Sequence, residues 1–207
     1  MNNLVIVGAS GHGRVIADIA EKVGYTDIVF LDDNLNVVSC GIYKVVGGSG
    51  SAQLYQNADF VVAIGNAIIR RKIQSELIEN GLHVVSLLHP SAVVASDVEI
   101  GIGTVVMAGA VINPNTKIGQ GCIINTCASV DHDCLIGDYA HVSVGAHIAG
   151  TVEIGENTWV GAGAIICNNI NVVDDCVIGA GAVVVKSIED SGTYIGVPAK
   201  KIENKTK

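Results

Sequence analysis

The sequence predicts an α/β chain in two parts. Residues 1–88 form a small parallel sheet with helices, and residues 89–207 form a parallel β-helix of hexapeptide repeats. Three observations carry this. An aliphatic residue returns at every sixth position from Val94 to Val184, a mostly small residue sits two places ahead of it, and short strands alternate with helices upstream.

The repeat reads Val94, Ile100, Val106, Ile112, Ile118, Ile124 and so on through sixteen positions without a break. A helix repeats at about 3.6 residues and a strand at about 2, so neither accounts for it. A period of six belongs to a parallel β-helix, whose short strands make flat faces joined by corners. The aliphatic residue points inward, and the small one, such as Thr104, Ala110, Cys122 or Ala140, leaves room at the corner; only Val152 and Ile170 are bulky there. A glycine directly follows the aliphatic residue at Gly101, Gly119, Gly137, Gly155, Gly161 and Gly179, which suits a turn needing positive φ. With three hexads to a coil, the array makes about five coils.

Composition agrees. The hydrophobic share is 49% and the charged share 15%, as buried aliphatic ladders require, and aromatics at 4% suit a narrow prism. A net charge of −8 argues against nucleic acid as a partner. No apolar run approaches the roughly 20 residues of a membrane span. No signal-peptide pattern opens the chain, so the expected location is the cytoplasm. Cys122, Cys134 and Cys176 fall in the small-residue column and are expected to be reduced core filler, while Cys40, Cys127 and Cys167 match no zinc spacing.

Upstream, Leu4 to Val7 reads as a strand, followed by Gly8-Ala9-Ser10-Gly11-His12-Gly13 and a helix to about Val23. Ile28 to Leu31 is a second strand ending in Asp32-Asp33, Phe60 to Ile64 a third running into Gly65-Asn66, and a helix follows from Ile68 to Asn80. Val84 to Leu87 makes a last strand, and His89-Pro90 marks the boundary. Alternation of this kind implies a Rossmann-like parallel sheet, with ligands at the carboxyl ends of its strands. The Gly-rich turn opens a helix and offers free N–H groups to phosphate. Asp32 is placed to accept from a ribose hydroxyl or a base N–H. The spacing is GxxGxG rather than the dinucleotide GxGxxG, and the sheet is short, so a nucleotide-sugar fits better than a dinucleotide.

Within the repeats, Asn125, Asp131-His132-Asp133, His141 and His147 stand out. His132 holds the third place of its hexad and points outward near a corner. An outward imidazole between two carboxylates suits a general base, and a solvated polar corner is the bland alternative. His141 and His147 share the sixth place of adjacent hexads and so face different sides, which leaves a shared metal site only to an assembly of several copies. Residues from Gly192 leave the register, and Glu203 to Lys207 read as a frayed tail.

Taken together, Gly8 to Gly13, Leu31-Asp32-Asp33, Ala63-Ile64-Gly65-Asn66 with Arg70, the hexad array, Val130 to Asp133, His141 to Gly145 and Gly196-Val197-Pro198-Ala199-Lys200 resemble the bacterial hexapeptide-repeat acyltransferases. The resemblance is to the group holding UDP-4-amino-sugar N-acetyltransferases and sialic acid O-acetyltransferases. It implies a left-handed column, a homotrimer with sites between neighbouring columns, and acetyl-CoA as co-substrate with no metal. It also implies His132 as base, oriented by Asp133 or Asp131, with Asn125 and His141 lining the pocket. In the 4-amino-sugar members the residue after the histidine is Glu, so Asp133 is a shorter arm. Gly8, Ser10, Gly11, His12, Gly13, Asp32, Asp33, Gly65, Asn66 and Arg70 would hold the UDP-sugar. Acetyl-CoA would run along the coils past His141, with its thioester oxygen at an N–H near Ala149-Gly150, and on to Gly179, Ala180, Pro198, Ala199 and Lys200. Direct transfer without an acyl-cysteine is expected, Cys127 being the only thiol near the site. O-acetylation of a sialic acid, a γ-type metalloenzyme and a non-catalytic scaffold are the competing readings.

Overall fold

A computed structural model describes residues 3–34 and 36–202, so the tail from Glu203 to Lys207 lies outside the described residues. The N-terminal unit runs β1 (Asn3–Val7), α1 (Gly11–Lys22), β2 (Asp27–Leu31), β3 (Ser39–Cys40), β4 (Tyr43–Gly47), a 3-10 turn (Ser49–Tyr55), β5 (Asp59–Val62), α2 (Ala67–Glu79) and β6 (His83–Val84). The sheet order is β3-β4-β2-β1-β5-β6. Its pairings are parallel except for the β3–β4 hairpin. Leu4 to Val7 are all buried, as a central parallel strand covered on both faces requires. The hairpin was not legible, because its strands are mostly half-exposed and Ile42 at its turn lies in solvent.

The expected strand from Val84 to Leu87 divides in two. Val84 pairs with Phe60 in the N-terminal sheet, whereas Leu87–Leu88 pairs with Val105–Val106 as the first rung of the column. An apolar run cannot reveal that the chain changes sheets within it.

The column is a left-handed parallel β-helix with three faces. The first face stacks Leu87–Leu88, Val105–Val106, Ile123–Ile124, His141–Val142, Trp159–Val160 and Cys176–Ile178. The second runs from Val93–Val94 through Ser129–Val130 and His147–Ile148 to Val183–Val184, and the third from Glu99–Ile100 to Asn171–Val172. Inward aliphatics of all three faces form one buried cluster. Although the hexad pattern ends, Gly192–Ile195 adds one more parallel rung on Cys176–Ile178, and Lys200–Lys201 then turns back antiparallel.

The small column has its own logic. Ahead of the second face it is Ala throughout, from Ala92 and Ala110 to Ala164 and Ala182. Where Thr or Cys replaces Ala, its hydrogen finds a carbonyl. Thr104 Oγ1 donates to Gly119 O at 2.7 Å, and Cys122 Sγ to Gly137 O at 3.2 Å. These buried polar atoms are therefore satisfied rather than merely tolerated. All six cysteines are free, and burial pushes the Cys122 thiol up to about 12, so it is inert filler as expected.

One expectation is corrected. The glycines directly after the inward aliphatics do not carry positive φ; that conformation falls two residues later, at Gly103 and Gly121 or at Asn115, Asp133 and Asn157. The first set is glycine for another reason. A Cβ at Gly155 would stand 2.4 Å from Asp174 N, in the backbone of the next coil. Coils stack too closely at these corners for a side chain. Gly155→Ala should therefore cost about 1–3 kcal/mol, as overpacking does, read as a lower denaturation midpoint in urea.

Candidate active site

The carboxyl ends of β1, β2 and β5 meet at the Gly-rich turn. Ser10 caps α1 with extended backbone, but its hydroxyl makes no capping bond. Arg14 N–H to Ser10 O, 3.1 Å, is the first helical bond. The N–H groups of Gly11, His12 and Gly13 thus have no acceptor within the helix and can receive an anion. Gly8 enters this turn with φ +112°. Asp32 accepts from Ala9 N–H at 2.7 Å and Asn34 N–H at 2.9 Å, so it shapes the turn while keeping lone pairs free. Asp33, expected to meet substrate beside it, is committed elsewhere: its carboxylate accepts from Ser49 N–H at 2.7 Å and from the Ser49 hydroxyl at 2.9 Å.

Arg70 is a second correction. It is 1% exposed. Its guanidinium donates to Gly121 O at 2.7 Å, Tyr139 O at 2.6 Å, Ile64 O at 2.8 Å and Gly65 O at 2.9 Å. Those donors are spent joining the N-terminal unit to the column and are not open to a substrate. Beside it, Arg71 bonds Glu156 at 2.7 Å and lies 4.6 Å over the Tyr139 ring. Asn66 caps α2 by accepting from Ile69 N–H.

Between α2 and the first face lies a cavity of about 470 Å³, bordered by Gly65, Asn66, Ile68, Tyr139, His141 and Trp159. Trp159, one coil above His141, stacks on its ring with centroids 6.1 Å apart and planes at 15°. Asn125 Oδ1 accepts from Thr126 N–H, which turns its NH2 toward His141 Nε2 at 3.1 Å. Burial, then the charge of Arg70, then His12 push His141 down to about 3. Burial and Arg70 push His12 down to about 4, and its Nε2 is buried without a partner. Both imidazoles are neutral at pH 7. A neutral His141 that accepts at Nε2 carries its proton on Nδ1.

His132 has the opposite surroundings. It sits exposed at the corner between the second and third faces, with Nδ1 2.6 Å from Asp133 Oδ2. The bond to Asp133 raises its pKa above the ordinary imidazole value, and the charge of Asp131 adds to this. Asp131 instead accepts the backbone N–H of His132 at 2.8 Å and the amide of Asn113 at 2.8 Å. Asp133 is held by Asn115 and stands at φ 57°. The carboxylate that orients the ring is Asp133, and Nε2 is left free to accept a proton. That ring lies over Gly150, where a Cβ would be 2.7 Å from Nε2. Ala149 N–H is spent on Ile166 O, so of the expected pair Gly150 alone offers an N–H.

One chain does not bring the two clusters together. His141, Asn125 and the cavity belong to the first face, and His132 with Gly150 to the corner beyond the second. His147 is outward on the second face, 2.8 Å from the Ser129 hydroxyl. Among the described residues no group of three His, Cys, Asp or Glu could hold a metal ion, and no helix is long and apolar enough to cross a membrane. Gly179 and Ala180 follow the first-face strand Cys176–Ile178, eighteen residues above Gly161 in the corner column of Asn125. Beyond the cis Val197–Pro198 bond, Ala199 N–H donates to Val183 O at 2.8 Å and Lys200 is exposed. Sequence reasoning missed Trp159, Tyr139 and Ile68. Trp159 was within reach, since it stands eighteen residues above His141 in the same outward column.

Known proteins resemble this chain along its length. Residues 3–77 match the family model described as the PglD N-terminal domain. The chain is 36% identical over 113 residues to the UDP-N-acetylbacillosamine N-acetyltransferase of Bacillus subtilis (strain 168). That match spans 52% of this chain and 52% of the relative, so it covers about half the length of each. Among solved structures, the acetyltransferase domain of PglB from Neisseria gonorrhoeae FA1090 is 40% identical with a TM-score of 0.93, covering 98% of this chain and 100% of that one. PerB from Caulobacter crescentus, solved in complex with CoA and GDP-perosamine, is 36% identical with a TM-score of 0.92, covering 98% of each chain.

The two neutral imidazoles tie stability to pH. Unfolded, each takes up a proton near about 6.5; folded, His12 does so near 4 and His141 near 3. Below pH 6.5 the unfolded chain binds more protons, so their contribution is complete above that pH and is lost as pH falls toward 4. Urea midpoints should drop over this window, and His141→Gln should flatten the slope.

Proposed function

This chain belongs to the hexapeptide-repeat sugar acetyltransferases, and from that premise we propose that it transfers the acetyl group of acetyl-CoA to the 4-amino group of a UDP-4-amino-4,6-dideoxy sugar. The observation that carries the reading is the exposed His132–Asp133 pair, whose Nε2 makes no hydrogen bond within the described residues and whose ring lies over Gly150. The diphosphate would lie on the first turn of α1 over Ser10 to Gly13, with Asp32 toward the nucleoside. The UDP-linked name of the curated relative and the CoA and nucleotide-sugar bound to PerB support both substrates.

Acetyl-CoA and the sugar bind together. The amine attacks the thioester carbon while His132 Nε2 takes one of its protons, and the resulting imidazolium is steadied by Asp133. Gly150 N–H donates to the oxyanion of the tetrahedral adduct. As the adduct collapses the C–S bond breaks, and the proton on His132 passes to the departing CoA thiolate. The products are the N-acetylated sugar and free CoA. No thiol of the protein takes part.

Because the cavity and His132 lie on different sides of one column, a complete site takes its base from a second copy. A homotrimer with sites between neighbouring columns satisfies this. The first face and its corner, from Asn125 and His141 up to Gly179 and Ala180, then give acetyl-CoA a path that ends at Pro198, Ala199 and the cationic Lys200.

The test is release of CoA thiol with UDP-4-amino sugars, GDP-4-amino sugars and free sialic acids compared. Turnover is expected with the UDP sugars, and release with free sialic acid alone would overturn the reading. His132→Ala should lower turnover by about 10²–10⁴-fold with assembly unchanged. Since the base acts unprotonated, kcat/KM should fall as pH drops through a value above 6.5, and Asp133→Asn should move that limb to lower pH.

A further inference from the structure

We propose that Arg70 is a positioning residue for acetyl transfer, setting the width of the cavity between α2 and the first face by holding one carbonyl pair on each wall. The inference rests on the function proposed above and concerns the same site. On one wall it binds Ile64 O and Gly65 O, in the loop that places Gly65, Asn66 and Ile68. On the other it binds Gly121 O and Tyr139 O, one coil apart, each two residues ahead of the first-face strand carrying Ile123 or His141. One side chain is thus bonded both to Gly65 on one wall of the cavity and to Tyr139 on the other.

Its chemistry suits a spacer. The guanidinium is planar and presents its N–H groups in a fixed fork, so four acceptors are held in set directions. A lysine ammonium has three freely rotating donors on a flexible stem and cannot hold four. Burial lowers Arg70 only to about 10, so it remains a cation at neutral pH. Among the described residues no carboxylate forms an ion pair with it. Its charge rests on carbonyl dipoles alone, which costs more than an ordinary helix-to-column contact would require. The close approach of α2 is built into the corners as well. A Cβ at Gly103 would meet Gln74 Oε1 at 2.0 Å, and one at Gly121 would meet the same atom at 3.2 Å.

The chain carries one tryptophan, and it borders this cavity. Trp159 emission therefore reports the cavity without any turnover. In Arg70→Lys, acetyl-CoA affinity by calorimetry should fall, and turnover should fall by up to about a hundredfold, the scale expected of a displacement near 1 Å. Trp159 emission should shift, while the acidic limb set by His132 stays in place. Gln74→Ala, buried at the same junction but unbonded to the 64–65 loop, should lower the unfolding midpoint and leave acetyl-CoA affinity within about twofold, an effect on stability alone. If the unaltered protein binds no acetyl-CoA, the proposed function fails. If it binds and Arg70→Lys binds equally with unchanged emission, the positioning role is wrong. If Gln74→Ala weakens binding as much, Arg70 only glues the two units together, and the proposal is overturned. Should Arg70→Lys fail to fold, Arg70→Gln decides by the same two readouts: weaker acetyl-CoA binding with shifted Trp159 emission supports the spacer, and unchanged values for both end it.

Discussion

Closure of each coil after eighteen residues governs this molecule. Val105 N–H meets Cys122 O at 2.9 Å, Ile123 N–H meets Ala140 O at 3.0 Å, and His141 N–H meets Thr158 O at 2.9 Å. With the backbone satisfied coil to coil, the interior can be almost wholly aliphatic, since few polar groups are left to accommodate. The same closure gives every outward residue a neighbour one coil away. Asn113 over Asp131, Asn115 over Asp133 and Ser129 over His147 are all such pairs. The polar chemistry of the surface is laid out by the packing of the interior.

The column was readable because its constraint is local and periodic: each hexad must turn one corner and fill one slot. The small residues and the outward His132 followed from position alone. What failed to show was set by contacts across the chain. The β3–β4 hairpin has no apolar alternation, and the switch of sheets after Val84 falls inside an apolar run. Arg70 and Asp33 are assigned to the UDP-sugar through the family resemblance, yet their partners lie 51 and 16 residues away. The glycines at the corners were seen, but their cause, backbone crowding between coils, is invisible without the third dimension.

Three histidines show how far surroundings decide a side chain's role. His12 and His141, beside the buried Arg70, cannot hold a proton at neutral pH and can only exchange hydrogen bonds as neutral rings. His132, in water between two carboxylates, holds one more readily than a free imidazole. A proton-accepting group and a pair of uncharged hydrogen-bonding groups are thus made from one residue type. The fold sets them on separate sides of one column, His12 and His141 beside α2 and the first face and His132 at the corner beyond the second.

The stacking also bears on how such a chain can change in length. Because a coil touches only the coils above and below it, eighteen residues could be added between the rung of His147 and the rung of Val183 as a whole storey. Such an addition would raise the C-terminal hook, where Ala199 bonds Val183, by about 4.8 Å, the spacing between paired strands. It would leave the N-terminal sheet and His132 below it untouched. Adding one or two hexads instead would rotate everything above them onto another face. A lineage built this way can lengthen its column in fixed increments while everything below the new coil stays where it was.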